Sequence, residues 1–270
     1  MSEQRKAERV RVLGVQVDSL KVERAALLTS RYLEKHKFEY IVFANTPAAL
    51  AGQDEQLLNE YIDGAALVLP GDSNIEDAVE VKQWVGEGLT YQAEYFRRVF
   101  TRLNKHRASI YMMVEKEDQL NKIRSIINEK YNRLYVEDIL WQPDGSVDQM
   151  VNSINSIAPE VLFICGSHER MSRFLAEHAC KINAGLCFCM EEVVTDTETD
   201  IPEWMIGTRL QKKIKELQQW ASRFLHNLVF RKKMKQVQQE EENGTEGSED
   251  TNPEDEWGEN LFETDENEQS

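Results

Sequence analysis

No run of eighteen apolar residues exists anywhere in the 270-residue sequence, which excludes a membrane-spanning helix of ordinary length. The opening MSEQRKAERVRV is polar and lacks an apolar h-region, so it does not read as a secretory signal. Cysteine is scarce: only Cys165, Cys180, Cys187 and Cys189 occur. Four in a chain this long do not make a disulfide framework, and a reducing cytosol is the expected setting. GxSxG, GxxxxGK(S/T), HExxH and GxGxxG are all missing, so no enzyme class follows from a short motif. No repeat of twenty to fifty residues is visible either.

Positive charge is absent from the end of the chain. Residues 240–270 carry fourteen acids and no Lys or Arg, which leaves only −2 of the net −16 for the other 239 residues. With Trp257 and Phe262 as its only aromatics, this stretch cannot bury enough apolar surface to offset chain entropy. It is expected to be a disordered acidic tail.

What is present is a body with a core. Hydrophobic residues make up 41% of the chain, enough for a large domain to fold by itself. Short apolar runs at Val10–Val15, Tyr40–Ala44, Leu67–Leu69, Ala108–Val114, Leu134–Ile139, Val161–Cys165 and Gly185–Met190 read as strands. Helical patterns separate them at Lys21–Lys35, Asp54–Tyr61, Tyr91–Lys105, Glu117–Lys130, Val147–Ser156 and Ser167–Lys181. This alternation predicts an α/β, Rossmann-like fold: a mostly parallel sheet with helices on both faces. The expected organisation is a flexible N-terminus over 1–9, an α/β domain over 10–208, a basic helical appendage over 209–239 and the acidic tail over 240–270.

The appendage stands apart in charge. Arg209–Lys235 holds nine basic residues and one acid, while Leu210, Ile214, Leu217, Ala221, Phe224, Leu225 and Leu228 recur at three- and four-residue steps. That is an amphipathic helix with a basic face. It either packs on the domain with its Lys and Arg solvated or lies on an anionic membrane surface. No nucleic-acid motif accompanies it, so nucleic acid is not an expected partner.

In open α/β sheets, ligands lie beyond the carboxyl ends of the strands. The segments to inspect are therefore Asn45–Ala48, Pro70–Asn74, Glu115–Glu117 and Gly166–Arg170. Asp72 follows a strand and can act as a general base, or it can bond its own backbone in a tight turn. Asn45, ahead of Thr46 and Pro47, can hold a ligand or cap the next helix. Gly166 lies where a strand passes into a helix, whose free amides favour anions. Cys165, His168, His178, Cys180, Cys187 and Cys189 invite a zinc reading, but no paired CxxC occurs and buried free thiols are expected. No metal and no cofactor is expected.

Several segments carry a family resemblance in their order. Leu13 onward reads LGVQVDSLKVERA where the family has a pattern like LGVPVDNLTMEEA; YIVFANTP (Tyr40–Pro47) stands for YIVTLNPE, and AALVLPGD (Ala65–Asp72) for ADLVxPDG. IPEWM (Ile201–Met205) stands for APKWM, and WASRFLHNL (Trp220–Leu228) for WLYRLLQEP. From Val10 to Met234 the chain resembles the WecG/TagA/CpsF glycosyltransferases. The resemblance implies transfer of an N-acetylhexosamine, typically N-acetylmannosamine, from a UDP-sugar to an undecaprenyl-diphosphate-linked sugar in cell-envelope polysaccharide synthesis. It implies a UDP-sugar donor and a lipid-linked acceptor, and a cytoplasmic protein that can sit peripherally at the inner face of the cell membrane. Asn45 and Thr46 would position the donor with Gly166, Asp72 would act as base, and Arg223 and Arg231 would hold the lipid diphosphate.

Departures from the pattern weaken the catalytic expectation. Phe43 replaces a Thr, Gly71 stands where the family has its base, and the family's Arg before its GTDL-like segment has no counterpart around Leu89–Phe96. Val114-Glu115 replaces a Gly pair, and that Glu is expected to repel a diphosphate. GSHERM keeps Gly166 but loses the family's Lys-Gln pair. Two readings follow: a transferase with weak or no activity, or a catalytically inactive regulatory module acting through a protein partner or as a homo-oligomer.

Overall fold

A computed structural model describes residues 8–35, 37–53, 55–81, 90–141, 145–191 and 228–236. The alternating apolar residues at its start form a hairpin, which corrects the single strand expected over Val10–Val15. Strands β1 (Arg9–Val12) and β2 (Val15–Asp18) pair antiparallel. Leu13 turns the chain with φ of 54°. Gly14 then presses so close to the next layer that a Cβ would sit 2.2 Å from the Gly52 carbonyl carbon. Buried Asp18 accepts from the Val68 amide at 2.8 Å and from Arg9 Nε at 3.1 Å, which ties the hairpin to the main sheet.

The main sheet has six parallel strands: β3 (Glu39–Ala44), β4 (Leu67–Pro70), β5 (Ser109–Val114), β6 (Tyr135–Leu140), β7 (Val161–Cys165) and β8 (Leu186–Met190). Their spatial order is β4-β3-β8-β7-β5-β6, so the last of the described strands in sequence lies between β3 and β7. VLFIC and LCFCM are buried at every position, as a sheet covered on both faces requires.

The helices are α1 (Val22–Glu34), α2 (Thr46–Ala51), α3 (Gln56–Asp63), α4 (Ser73–Ala78), α5 (Tyr91–His106), α6 (Glu117–Lys130), α7 (Val147–Ile157) and α8 (His168–His178). A 3₁₀ turn follows at Ala179–Lys181. Helix α2, six residues long, begins where Asn45 and Pro47 suggested a cap and first turn, whereas α4, also six residues, was not anticipated; such helices are too short for a 3.6-residue period to show.

Successive strand residues point to opposite faces, and this sorts the helices. Phe43, Phe163 and Phe188 meet Tyr95, Phe96 and Phe100 of α5 with ring centroids 5.0–6.3 Å apart. Helix α1 packs against α5. Asp138, in register with Phe163 through Met112, pairs with Arg124 of α6 on that same face. On the opposite face, α3 packs against α8, and Ser153 of α7 bonds the Tyr111 hydroxyl at 2.9 Å.

That second face also takes Cys187 and Cys189, whose sulfurs lie 3.6 Å apart. Burial pushes the Cys165 and Cys187 thiols up. Cys165, Cys187 and Cys189 are thus buried free thiols, as expected, but Cys180 is exposed, which corrects the reading for that residue.

The helical segment 228–236 docks on the domain through buried Phe230 and half-buried Met234, while Lys233 Nζ donates to Gln53 Oε1 at 2.8 Å. Leu228, expected on the buried stripe, is 52% exposed. The i, i+4 pair Phe230 and Met234 forms the contact in its place. Arg223, the rest of the appendage and the acidic tail lie outside the described residues. Among the described residues, no helix is long and apolar enough to cross a membrane.

Candidate functional site

The four segments singled out in the sequence all lie at the carboxyl edge of the sheet, joined by a line of hydrogen bonds. Asp72 follows β4 and caps α4: its Oδ1 accepts from Asn74 N and Ile75 N, both at 3.1 Å. Its Oδ2 accepts from Thr46 N at 2.6 Å, on the next strand's loop. The expected tight turn is therefore a helix cap with an extra long-range donor. Asn74 Nδ2 reaches back to Thr46 Oγ1 at 3.0 Å, so the loops after β3 and β4 are bonded twice.

Asn45 does what its position before Thr46-Pro47 suggests: its Oδ1 accepts from Ala48 N at 3.0 Å, capping α2. Its amide group also donates to the carboxylate of Glu191, just beyond β8. Sequence reasoning missed Glu191. It lies 146 positions from Asn45 and belongs to no motif, so only the pairing of β3 with β8 brings the two together. Gly166 continues the line, its amide donating to Met190 O at 3.0 Å.

Past Gly166 the loops diverge. The segment after β5 leads into α6 on one face, and the segment after β7 leads into α8 on the other. This is the switch point at which open α/β sheets form a crevice. A pocket of about 590 Å³ opens there, lined by Glu115, Lys116, Trp141, Ser167, Glu169, Arg170 and Arg173.

Within it, Glu115 Oε2 accepts from Ser167 N at 3.1 Å, and Oε1 accepts from Arg170 Nη1 at 2.9 Å. The same Nη1 donates to Trp141 O at 3.0 Å, and the guanidinium lies 4.0 Å above the Trp141 ring, a cation–π arrangement. Glu115, expected only to repel, is here a bonded carboxylate. Arg170 was inside an inspected segment, but nothing in GSHERM distinguished it from a surface arginine. Only its neighbour Trp141, brought in by β6, does so.

At the other end of the edge, a groove of about 860 Å³ runs between α4 and segment 228–236. Arg231, Lys232 and Lys235 line it with Leu228 and Val229, opposite Asn74 and Asp77. Arg231 therefore stands in the same groove as the Asn74 side chain that bonds Thr46. One wall combines cations with exposed aliphatic side chains.

Two polar residues lie behind this edge rather than on it. His168 opens α8 but turns inward, its ring centroid 6.2 Å from that of Tyr61. Neither of its nitrogens nor the Tyr61 hydroxyl has a partner among the described residues. Burial pushes the His168 ring down to about 4; the Phe43 carbonyl nearby favours the proton but closes no hydrogen bond by distance and angle. No three His, Cys, Asp or Glu side chains gather as a metal cage among the described residues.

A family model described as the glycosyl transferase WecG/TagA/CpsF family matches residues 10–240. No curated protein matches the chain.

Proposed function

The chain belongs to the WecG/TagA/CpsF glycosyltransferase family, and we propose that it transfers an N-acetylhexosamine, typically N-acetylmannosamine, from a UDP-sugar to a lipid-linked acceptor. The observation that carries this reading is the family match together with the hydrogen-bonded carboxyl edge running from Asp72 through Thr46, Asn45 and Glu191 to Gly166. In the reaction, the bond from the sugar's anomeric carbon to UDP breaks. A bond to the acceptor hydroxyl oxygen forms, and the hydroxyl proton passes to a base.

Asp72 is the carboxylate proposed for that proton, with Asn45 and Thr46 setting the donor and Gly166 allowing its close approach. Three backbone N–H groups hold the Asp72 carboxylate in place. That positions it well, and Oδ2, which accepts only from Thr46 N, keeps a lone pair for the proton. Arg231, with Lys232 and Lys235, is suited to a diphosphate, and Leu228 and Val229 beside them to its lipid chain. Arg223 is proposed for the same task. The unit assigned to this chemistry is residues 10–208 with the appendage 209–239 working at the inner face of the membrane; residues 1–9 and the tail beyond 240 are outside it.

The test is sugar transfer from UDP-N-acetylmannosamine to a short-chain lipid-diphosphate acceptor, with Asp72→Asn beside the natural chain. Loss of transfer by a hundredfold or more with UDP binding retained is the expected result. Equal rates in the two proteins rule out the assigned base.

A second reading has its own observation. Glu115 neutralises Arg170 at the switch-point crevice, and Asp72 already accepts three backbone N–H groups. Both suit a regulatory module that binds a nucleotide-sugar or a protein partner without turnover. Saturable UDP binding with no transfer to any acceptor would favour it.

A further inference from the structure

The crevice between β5 and β7 has the donors for an anion and already contains one. Ser167 N–H and the Arg170 guanidinium converge on two oxygens of a single group, as they would on two non-bridging oxygens of a phosphate. The group they hold is the Glu115 carboxylate. Its present placement depends on Gly166: a Cβ there would lie 2.6 Å from Glu115 Cδ, so a larger residue would push this side chain out of its position. Arg170 is fixed independently by the Trp141 carbonyl and ring, so the seat does not owe its shape to Glu115. An independent finding points to the ligand, since family membership implies substrates that each carry a diphosphate.

We propose that Glu115 is an internal occupant of a diphosphate seat made by Ser167 N–H and Arg170, and that it sets how weakly this chain holds its diphosphate substrate. The proposal rests on the family reading given above. With Glu115 in place, the pocket's charged side chains are Glu115 and Glu169 against Lys116, Arg170 and Arg173, a local +1. An incoming diphosphate must displace the carboxylate and then remain close to its charge. Glu115→Ala empties the seat and raises the local charge to +2; Glu115→Gln removes the charge and keeps the shape.

The experiment is calorimetric titration of the full-length chain with two probes, UDP and farnesyl diphosphate. They share the diphosphate and stand for the donor and the lipid-linked acceptor respectively. Glu115→Ala is expected to bind at least one probe ten times more tightly or better than the natural chain, and Glu115→Gln is expected to gain less. Arg170→Ala placed on Glu115→Ala should remove the gain. The probe that gains identifies which substrate uses the seat. Circular dichroism confirms the fold, and Glu115→Gln decides the question should the alanine variant melt early.

Unchanged affinity for both probes in both variants, undetectable binding included, overturns the proposal. Sugar transfer is measured separately. Tightening without transfer in any variant upholds the seat and counts against the proposed reaction; transfer without tightening does the reverse.

Discussion

His168 should make the domain sensitive to mild acid. Its ring is buried at the start of α8 beside Tyr61, and neither nitrogen has a partner among the described residues. Burial opposes the imidazolium and lowers the ring from 6.5 to about 4. The unfolded chain therefore takes up this proton at a higher pH than the folded one does. Above 6.5 neither state holds the proton and His168 exacts no protonation penalty. As pH falls from 6.5 toward 4 the unfolded state gains the proton first, and stability is lost across that window. At 1.36 kcal/mol for each pH unit between the two values, the full loss is about 3 kcal/mol, an order-of-magnitude figure. Against a total stability of roughly 5–15 kcal/mol, that is a sizeable fraction. His168→Phe keeps a flat ring and removes both nitrogens, so its stability should fall less between pH 7 and 4.5. At pH 7.5 it should equal or exceed the natural chain by about 1 kcal/mol, since two unsatisfied polar atoms are gone. Urea unfolding followed by circular dichroism at several pH values measures the difference, which cancels the carboxylates common to both proteins. Parallel curves for the two proteins would refute the reasoning. So would a His168 ring titrating near 6.5 by nuclear magnetic resonance.

Further outcomes follow from other contacts. Gly14→Ala should lower stability by about 2–3 kcal/mol in thermal or urea unfolding, because its Cβ meets the Gly52–Gln53 backbone and not a yielding side chain. Asp18→Ala removes the acceptor for Val68 N and the partner of Arg9, and a loss of about 3 kcal/mol is expected by the same assay. Asp72→Asn should lower stability by about 1–2 kcal/mol whatever it does to transfer, since an amide cannot accept from both Thr46 and the α4 amides as a carboxylate does. Deleting residues 240–270 should strengthen flotation with anionic liposomes if the acidic tail competes for the Arg231, Lys232 and Lys235 face; unchanged flotation would argue that no such competition exists.

The parallel sheet was legible because its strands are apolar throughout. A fully apolar five-residue run such as Val161–Cys165 has few other uses in a chain with no helix among its described residues long and apolar enough to cross a membrane. Helix α6 matched its expected bounds at both ends, helped by Glu117 and Asp118 in its first turn and Lys130 in its last. The hairpin was not read, because apolar Leu13 sits in the turn and joins Val12 and Val15 into one short apolar run that Gly14 alone interrupts. At the site, the capping role of Asn45 followed from local chemistry, while the partnerships of Asp72 with Thr46 and of Asn45 with Glu191 are long-range and have no sequence signature. Glu115 was noticed as a foreign charge near a diphosphate. What the sequence could not reveal is that Arg170, fifty-five positions later, answers it.

The position of β8 also dictates an order of assembly. Strands β3 and β4 form one pair, and β5, β6 and β7 form a separate trio; within the six-stranded sheet, only β8 hydrogen-bonds to both groups. A growing polypeptide therefore cannot join its two half-sheets until Leu186–Met190 has been made. Until then the flanks of β3 and β7 that β8 will cover present unpaired backbone to the cell. Such non-local closure is slow and leaves edges open to aggregation. A chain ending before Leu186 would thus leave two incomplete sheets instead of a shortened domain.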